Sequence, residues 1–272
     1  MTATPPGFVT RFAPSPTGYL HLGHALSARV AFDAASKARG QFRLRIEDID
    51  HTRCRPEYEA AIFEDLIWLG MNWDGEMMRQ SERGVAYEAA LDALLKRGVL
   101  YRCFRTRQEV ALAMLSAPHG PQAAFIGAPL DPDHERARLA AGEPFAWRLS
   151  LACAADILGQ TFDPELEAGG DVVLARKDVG VAYHLASVVD DAAQGITHVI
   201  RGEDLASAVP VQRLLQDLLD LPPVTYQHHA LLLGPDGKRL AKRNGGTALR
   251  DLRASGAAPD DIWRMAGFAG AV

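Results

Sequence analysis

The stretch that most constrains this chain is Arg11-Phe-Ala-Pro-Ser-Pro-Thr-Gly-Tyr-Leu-His-Leu-Gly-His24. Phe8 to Phe12 reads as a short strand, Ala13 to Gly18 as a turn restricted by two prolines and a glycine, and His21 to Arg39 as a helix by its periodicity. A strand led through a stiff turn into a helix leaves unpaired N–H groups and the positive end of the helix dipole facing whatever binds there, and phosphate matches that chemistry. His21 and His24 stand three residues apart, so they share one face of the first helical turn. Two imidazoles in that position can donate to oxygens that gain charge as pyrophosphate leaves. Gly23, between them, lets a flat base or a ribose approach the backbone. An isolated H-x-x-H pair is more often a coincidence of surface or metal-binding residues. Preceded by this strand and turn, it reads as a nucleotide site.

The rest of the chain continues in the same rhythm. Gln41 to Glu47 alternates strictly, with Phe42, Leu44 and Ile46 on one face and Arg43, Arg45 and Glu47 on the other. Pro56 opens a second helix in which Ile62, Leu66 and Leu69 recur at helical spacing before Gly70, and a third helix is expected from about Glu82 to Arg97. Strand, helix, strand, helix predicts an α/β fold with a parallel sheet covered by helices. Residues 101–180 differ, being rich in Ala, Pro and Gly, with isolated strand signals at Phe145 to Leu149 and Asp171 to Arg176. They read as an α+β insertion between the halves of a nucleotide-binding fold. The expected division is residues 1–100 and 181–246 for the two halves, 101–180 for the insertion, and 247–272 for a short helical C-terminal segment. Within the second half, Tyr183 and His184 are expected to begin a strand.

Composition removes several classes of protein. Of 272 residues, 48% are hydrophobic and 23% charged, which suits a soluble protein with a sizeable core. No stretch approaches the roughly 18 apolar residues that a membrane span needs, and the N-terminus has no apolar leader. Cys54, Cys103 and Cys153 form neither a disulfide framework nor a C-x-x-C knuckle, so a reducing cytoplasm is the expected compartment. Net charge is −5, so any contact with RNA needs a local basic patch. One candidate exists, in which Lys238, Arg239, Lys242, Arg243, Arg250 and Arg253 crowd together with only Asp251 as an acid.

Four of those cations lie in Gly237-Lys-Arg-Leu-Ala-Lys-Arg-Asn-Gly-Gly246, a glycine-flanked loop suited to clamping a triphosphate. Lys242, as a point charge, can follow the migrating negative charge during in-line attack at the α-phosphate. Three further positions are candidates for reading a substrate. Glu47 ends its strand at the carboxyl edge, where open α/β sheets bind ligands. Arg201 follows the run Ile196 to Ile200 and can meet a carboxylate bidentately, or simply pair with Glu203 or Asp204. Tyr183 is the third, and it reads equally well as core.

Taken together, the motifs RFAPSPTGYLHLGH, LRIEDID, YHLASVVDD, HVIRGEDL and RLAKR resemble the glutamyl/glutaminyl branch of class I aminoacyl-tRNA synthetases, in the same order along the chain. The first matches the HIGH signature and the last the KMSKS loop. The resemblance runs from Arg11 to about Gly245 and implies a Rossmann-like catalytic domain. It assigns Arg11, Phe12, Ala13, Pro14, Ser15, Glu47, Tyr183 and Arg201 to a glutamate pocket. Pro14, Thr17, Gly18, His21, Gly23, His24, Arg239, Leu240, Ala241, Lys242 and Arg243 fall at ATP-site positions, with His21, His24 and Lys242 catalytic. ATP with Mg2+, L-glutamate and a tRNA are the implied substrates.

The chain stops about thirty residues after the loop, which resembles the short members of the branch that attach glutamate to queuosine at the wobble position of tRNA(Asp). A monomer is expected. Two departures stand out. Many members hold zinc at the start of the insertion with C-x-C and a later Tyr and Cys. Here Tyr101-Arg-Cys-Phe-Arg-Thr-Arg107 keeps only Cys103, Arg105 takes the second position, and no Cys lies near Phe125 to Gly127. A structural zinc site takes about four ligands, so no zinc is expected. Ala241 also replaces the serine of the loop signature. The competing readings are a shortened synthetase that charges a tRNA 3′ end, and a small-molecule nucleotidyltransferase, which would not need the glutamate pocket. A non-catalytic paralogue ranks last, because His21, His24 and Lys242 are all present.

Overall fold

The structure is a computed structural model that describes residues 7–115, 124–176, 180–232 and 247–268. Its elements in chain order are β1 (Val9–Phe12), α1 (Leu22–Ala38), β2 (Gln41–Ile46), α2 (Pro56–Trp68), β3 (Met78–Arg79), α3 (Gly84–Lys96), β4 (Leu100–Cys103), α4 (Arg107–Leu115), α5 (Pro132–Ala140), β5 (Ala146–Leu149), α6 (Leu151–Leu158), α7 (Pro164–Gly169), β6 (Val173–Arg176), β7 (Gly180–Val181), α8 (Tyr183–Ala193), β8 (His198–Gly202), α9 (Val209–Leu218), β9 (Thr225–His229), α10 (Leu249–Ala254) and α11 (Pro259–Met265). They form two compact units. The first draws its described residues from Met1–Arg83, Asp191–Ala206 and Val224–Val272, and the second from Gly84–Asp190 and Ser207–Pro223.

In the first unit β1, β2 and β3 pair in parallel, as do β8 and β9. Thr197, just before β8, donates its backbone N–H to the Val9 carbonyl at 2.9 Å, which ties this pair to β1. Helix α1 lies on β1, β2 and β8 through a face made of Ala25, Ala28, Ala31 and Ala35, all buried. Methyl side chains at that spacing let the helix sit close over Phe12, Phe42, Leu44, Ile46 and Ile200. Gly40, after the helix, is required by space. A Cβ there would lie 2.1 Å from the Phe8 carbonyl oxygen, where the chain turns back to pair β2 with β1. Helix α2 opens on Pro56 and buries Ile62 and Leu66, and Gly70 follows it at φ 76°, matching the start and stop signals read in the sequence.

The second unit contains the antiparallel sheet β4-β5-β6-β7 and a core of Leu94, Leu149, Leu174, Leu185, Val188 and Leu215. Two strands expected in the insertion are β5 and β6. Helices α4 to α7 were not expected, although two of them carry a legible signal. Asp131 and Asp163 each cap a helix with the side chain, and each is followed by proline at the first helical position. The strand expected at Tyr183 is overturned, since Tyr183–Ala193 is the helix α8. The β-branched pair Val188-Val189 suggests a strand locally. Burial of Leu185 and Val188, three apart, in the core of the second unit decides for a helix.

Candidate active site

The turn after β1 is fastened to the end of β2. Glu47 donates its backbone N–H to the Pro14 carbonyl at 3.0 Å, and Arg55 donates to the Pro16 carbonyl at the same distance. Pro14, Pro16 and Gly18 are buried, Ala13 and Thr17 are half-buried, and Ser15 is exposed. The Phe12 side chain enters the core, so that residue can meet a substrate only through its backbone.

The two histidines cap α1 reciprocally. His21 is the N-cap residue and its Nδ1 accepts from the Gly23 N–H, while His24 Nδ1 accepts from the His21 N–H, both at 3.1 Å. A ring nitrogen that accepts from a backbone N–H carries no proton. Each imidazole is therefore held with its hydrogen on Nε2, as a donor. The ring centroids are 3.9 Å apart. Gly23 has a packing reason of its own, because a Cβ there would come within 3.0 Å of the His21 ring.

Arg239, Leu240, Ala241, Lys242 and Arg243 lie outside the described residues. The chain that follows them is placed: Ala248 forms an antiparallel bridge with His21, and Leu249 donates to the Leu20 carbonyl at 2.8 Å. The return from the basic loop thus lies against the first histidine.

Beneath the turn is a buried charge network absent from the sequence expectations. Asp191 Oδ1 accepts from Arg11 Nε at 3.1 Å and from Arg45 Nη1 at 2.7 Å. Arg45 also donates Nη1 to Gln194 Oε1 at 3.1 Å and Nη2 to Glu47 Oε1 at 3.3 Å. Arg45 is fully buried, Asp191 is 4% exposed and Arg11 5% exposed. Burial alone would raise the Asp191 carboxyl, but Arg11 and Arg45 outweigh it and hold the group below the usual carboxylate range. Burial keeps Glu47 above that range despite the pull of Arg45 and Arg11, and the charge of Asp191 adds to the rise. Arg11 is bound to protein only through Nε among the described residues, leaving its two Nη groups as a fork for a carboxylate.

Arg201 in β8 is 5% exposed; its Nη2 donates to the Leu205 carbonyl at 3.0 Å, and its guanidinium lies 5.2 Å from the Tyr226 ring centroid. His228 Nε2 stands 3.5 Å from Arg201 Nε, and burial together with the Arg201 charge pushes its pKa down. Tyr183 belongs to the second unit, where its ring meets His184 edge-on at 5.7 Å. Of the basic stretch, Arg253 is committed within the fold: it donates to Glu64 at 2.9 Å and stands 3.6 Å from Asp65 of α2. Burial raises that Asp65 carboxyl to about 6 against the pull of Arg253. Arg250 covers the Tyr19 ring at 4.3 Å.

At the start of the insertion Cys103 is buried in β4, and the Arg105 and Arg148 guanidiniums lie over Phe125 at 5.8 and 4.5 Å. Asp171 gathers this region, accepting from the Tyr101 hydroxyl and the Gly127 N–H at 2.8 Å and from the Leu151 N–H at 3.0 Å. Among the described residues no three His, Cys, Asp or Glu side chains cluster as metal ligands would.

A parallel sheet, an imidazole-capped helix and an arginine fork beneath the connecting turn define a class I nucleotide-binding catalytic unit. Residues 8–270 match the family of class I tRNA synthetases (E and Q), catalytic domain, and the chain belongs to that family. It is 46% identical to the glutamyl-Q tRNA(Asp) synthetase of Rhodobacter capsulatus, over 96% of this chain and 100% of that one. It is 40% identical to the glutamate–tRNA ligase of a Synechococcus species, over 93% of this chain but 56% of the relative. The crystal structure of a glutamate–tRNA ligase from Elizabethkingia meningosepticum, in complex with its amino acid, superposes with a TM-score of 0.79 at 27% identity. That match covers 96% of this chain and 60% of the larger protein.

Proposed function

We propose that this chain activates L-glutamate with ATP and Mg2+ and passes the glutamyl group to queuosine at the wobble position of tRNA(Asp). In the first step a glutamate carboxylate oxygen attacks the α-phosphorus and pyrophosphate leaves with the electron pair of the broken P–O bond. In the second, a hydroxyl of the queuosine cis-diol attacks the acyl carbon and AMP leaves. The observation that carries the glutamate reading is the Arg11 fork, buried yet satisfied by protein only through Nε among the described residues. A carboxylate in that recess is charge-matched and can accept two hydrogen bonds. Arg201 serves the second carboxylate, and Glu47 the ammonium group. Ala13 and Ser15 line the pocket through the turn.

His21 and His24 donate from Nε2 to phosphate oxygens, Lys242 balances the charge that builds on pyrophosphate, and Pro14, Thr17, Gly18 and Gly23 with the loop residues Arg239 to Arg243 bound the nucleotide. Full-length similarity to a relative named for queuosine-bearing tRNA(Asp) supports that acceptor over a 3′ end. We further propose a cytoplasmic monomer without structural zinc, its insertion braced by the hydrogen bonds that Asp171 accepts. Stoichiometric zinc in elemental analysis of the purified protein would overturn that last point.

The acceptor is tested by charging total tRNA with labelled glutamate and then removing the 3′-terminal nucleotides. The label is expected to stay with the body of the tRNA, and tRNA lacking queuosine is expected to take up none. Label that leaves with the 3′ end would make this a synthetase of the conventional kind, the reading favoured by the likeness to the Synechococcus ligase.

A further inference from the structure

We propose that Asp191 is the positioning residue of the glutamate pocket, one buried carboxylate that sets both the arginine fork and the glutamate side chain facing it. The inference rests on the reading of Arg11 and Glu47 as substrate-binding groups. Arg11 and Arg45 stand on neighbouring parallel strands, and in the register of β1 and β2 Arg11 lies opposite Arg43, two residues before Arg45. Two guanidiniums buried at that spacing repel each other and have lost their hydration. Asp191 Oδ1 lies between them, 3.1 Å from Arg11 Nε and 2.7 Å from Arg45 Nη1, so a single oxygen makes the pair tolerable.

Its geometry has two consequences. By taking Nε, Asp191 pins the Arg11 guanidinium at its inner edge and turns the two Nη groups outward as one planar donor pair. By holding Nη1 of Arg45, it leaves Nη2 aimed at Glu47 Oε1, 3.3 Å away. Gln194 braces the same arginine, accepting from its Nη1 while donating from Nε2 to the Leu44 carbonyl at 3.3 Å. The separation between the cation for a substrate carboxylate and the anion for the ammonium group is therefore fixed by Asp191, acting through the two arginines rather than on the substrate itself. Position errors of about 1 Å in such a constellation cost roughly 10²-fold.

The test is glutamate-dependent ATP–pyrophosphate exchange with Asp191→Asn and Asp191→Glu. Asp191→Asn keeps the shape but loses the charge, and Asp191→Glu keeps the charge and displaces the oxygen by one methylene. Each is expected to raise KM for glutamate by about 10–10²-fold, leave KM for ATP within about twofold, and narrow the preference for glutamate over glutamine. A second readout belongs to positioning alone. The groups acting on Glu47 are Arg45, Arg11 and Asp191, and removing the negative charge of Asp191 should move the acidic limb of the kcat/KM profile for glutamate to lower pH. A residue that only supports the fold would lower the melting temperature and move neither selectivity nor that limb. If Asp191→Asn does not fold, Asp191→Glu carries the test. Glutamate KM and selectivity unchanged in a folded variant would overturn the proposal. If Arg11→Met is also without effect, the glutamate pocket itself is misread; if Arg11→Met is impaired and the Asp191 variants are not, only the positioning role falls.

Discussion

Arg11→Met is expected to lower kcat/KM for glutamate in ATP–pyrophosphate exchange by about 10²–10³-fold, almost all of it through KM. Arg11 is 5% exposed, and its fork would meet a carboxylate in a recess where water screens little. Losing one partner of a buried ion pair costs about 3–5 kcal/mol, and each decade in affinity is about 1.4 kcal/mol, so two to three decades follow. Methionine keeps most of the length and packing of the arginine stem. Asp191 retains Arg45 at 2.7 Å, so the fold should survive. A melting curve close to that of the unaltered protein, beside the kinetic loss, would separate binding from stability. An unchanged KM for glutamate would remove Arg11 from the pocket.

Lys242→Ala should slow activation at saturating substrates by about 10²-fold or more, with little change in the KM for glutamate. A single cation stabilising charge that appears only in the transition state acts on kcat, and removing one such contact typically costs about 10²–10³-fold. Lys242 lies outside the described residues, but the return of the chain from its loop does not. Ala248 bridges to His21, the residue whose ring caps α1 beside the turn. The described chain therefore resumes against the residue that caps α1. Lys242→Arg, which retains a cation of different shape, should recover part of the rate. An exchange rate unaffected by Lys242→Ala would refute the catalytic assignment.

His21 and His24 illustrate how a local motif becomes chemically specific. Their spacing places them on one face of a helical turn whatever the fold, so their partnership was legible in the sequence. Their protonation pattern was not. It follows from Nδ1 of each ring accepting a backbone N–H, and it is that bond which leaves Nε2–H as the donor on both. In the same way, alternation along Gln41 to Glu47 separated Phe42, Leu44 and Ile46 from the arginines, but carried no sign of what surrounds Arg45. The structure buries Arg45 completely. An arginine is tolerated there because, besides its chain neighbour Glu47, a carboxylate from α8 and the Gln194 amide reach it, and these two are far from it in the chain.

What the sequence determined by itself is whatever depends on neighbours a few residues apart. That covers the proline-restricted turn, the helix that starts at the histidines, the stop at Gly70, the alternation of strand and helix in the first hundred residues and the set of motifs that identifies the family. Propensity and short-range sterics act within one turn or one strand, and their information is present in a window of that length. Tertiary structure decided the rest. Tyr183 to Ala193 is a helix because Leu185 and Val188 enter a core whose other members come from elements as far apart as α3 and α9, overriding the local preference of two valines. Asp191, in sequence simply the last residue of the motif YHLASVVDD, is the counter-charge of Arg11 and Arg45 only because that end of α8 meets β1 and β2 across sequence separations of 180 and 146 residues. Burying a charge costs several kcal/mol unless a partner is brought to it, and only the folded chain supplies that partner.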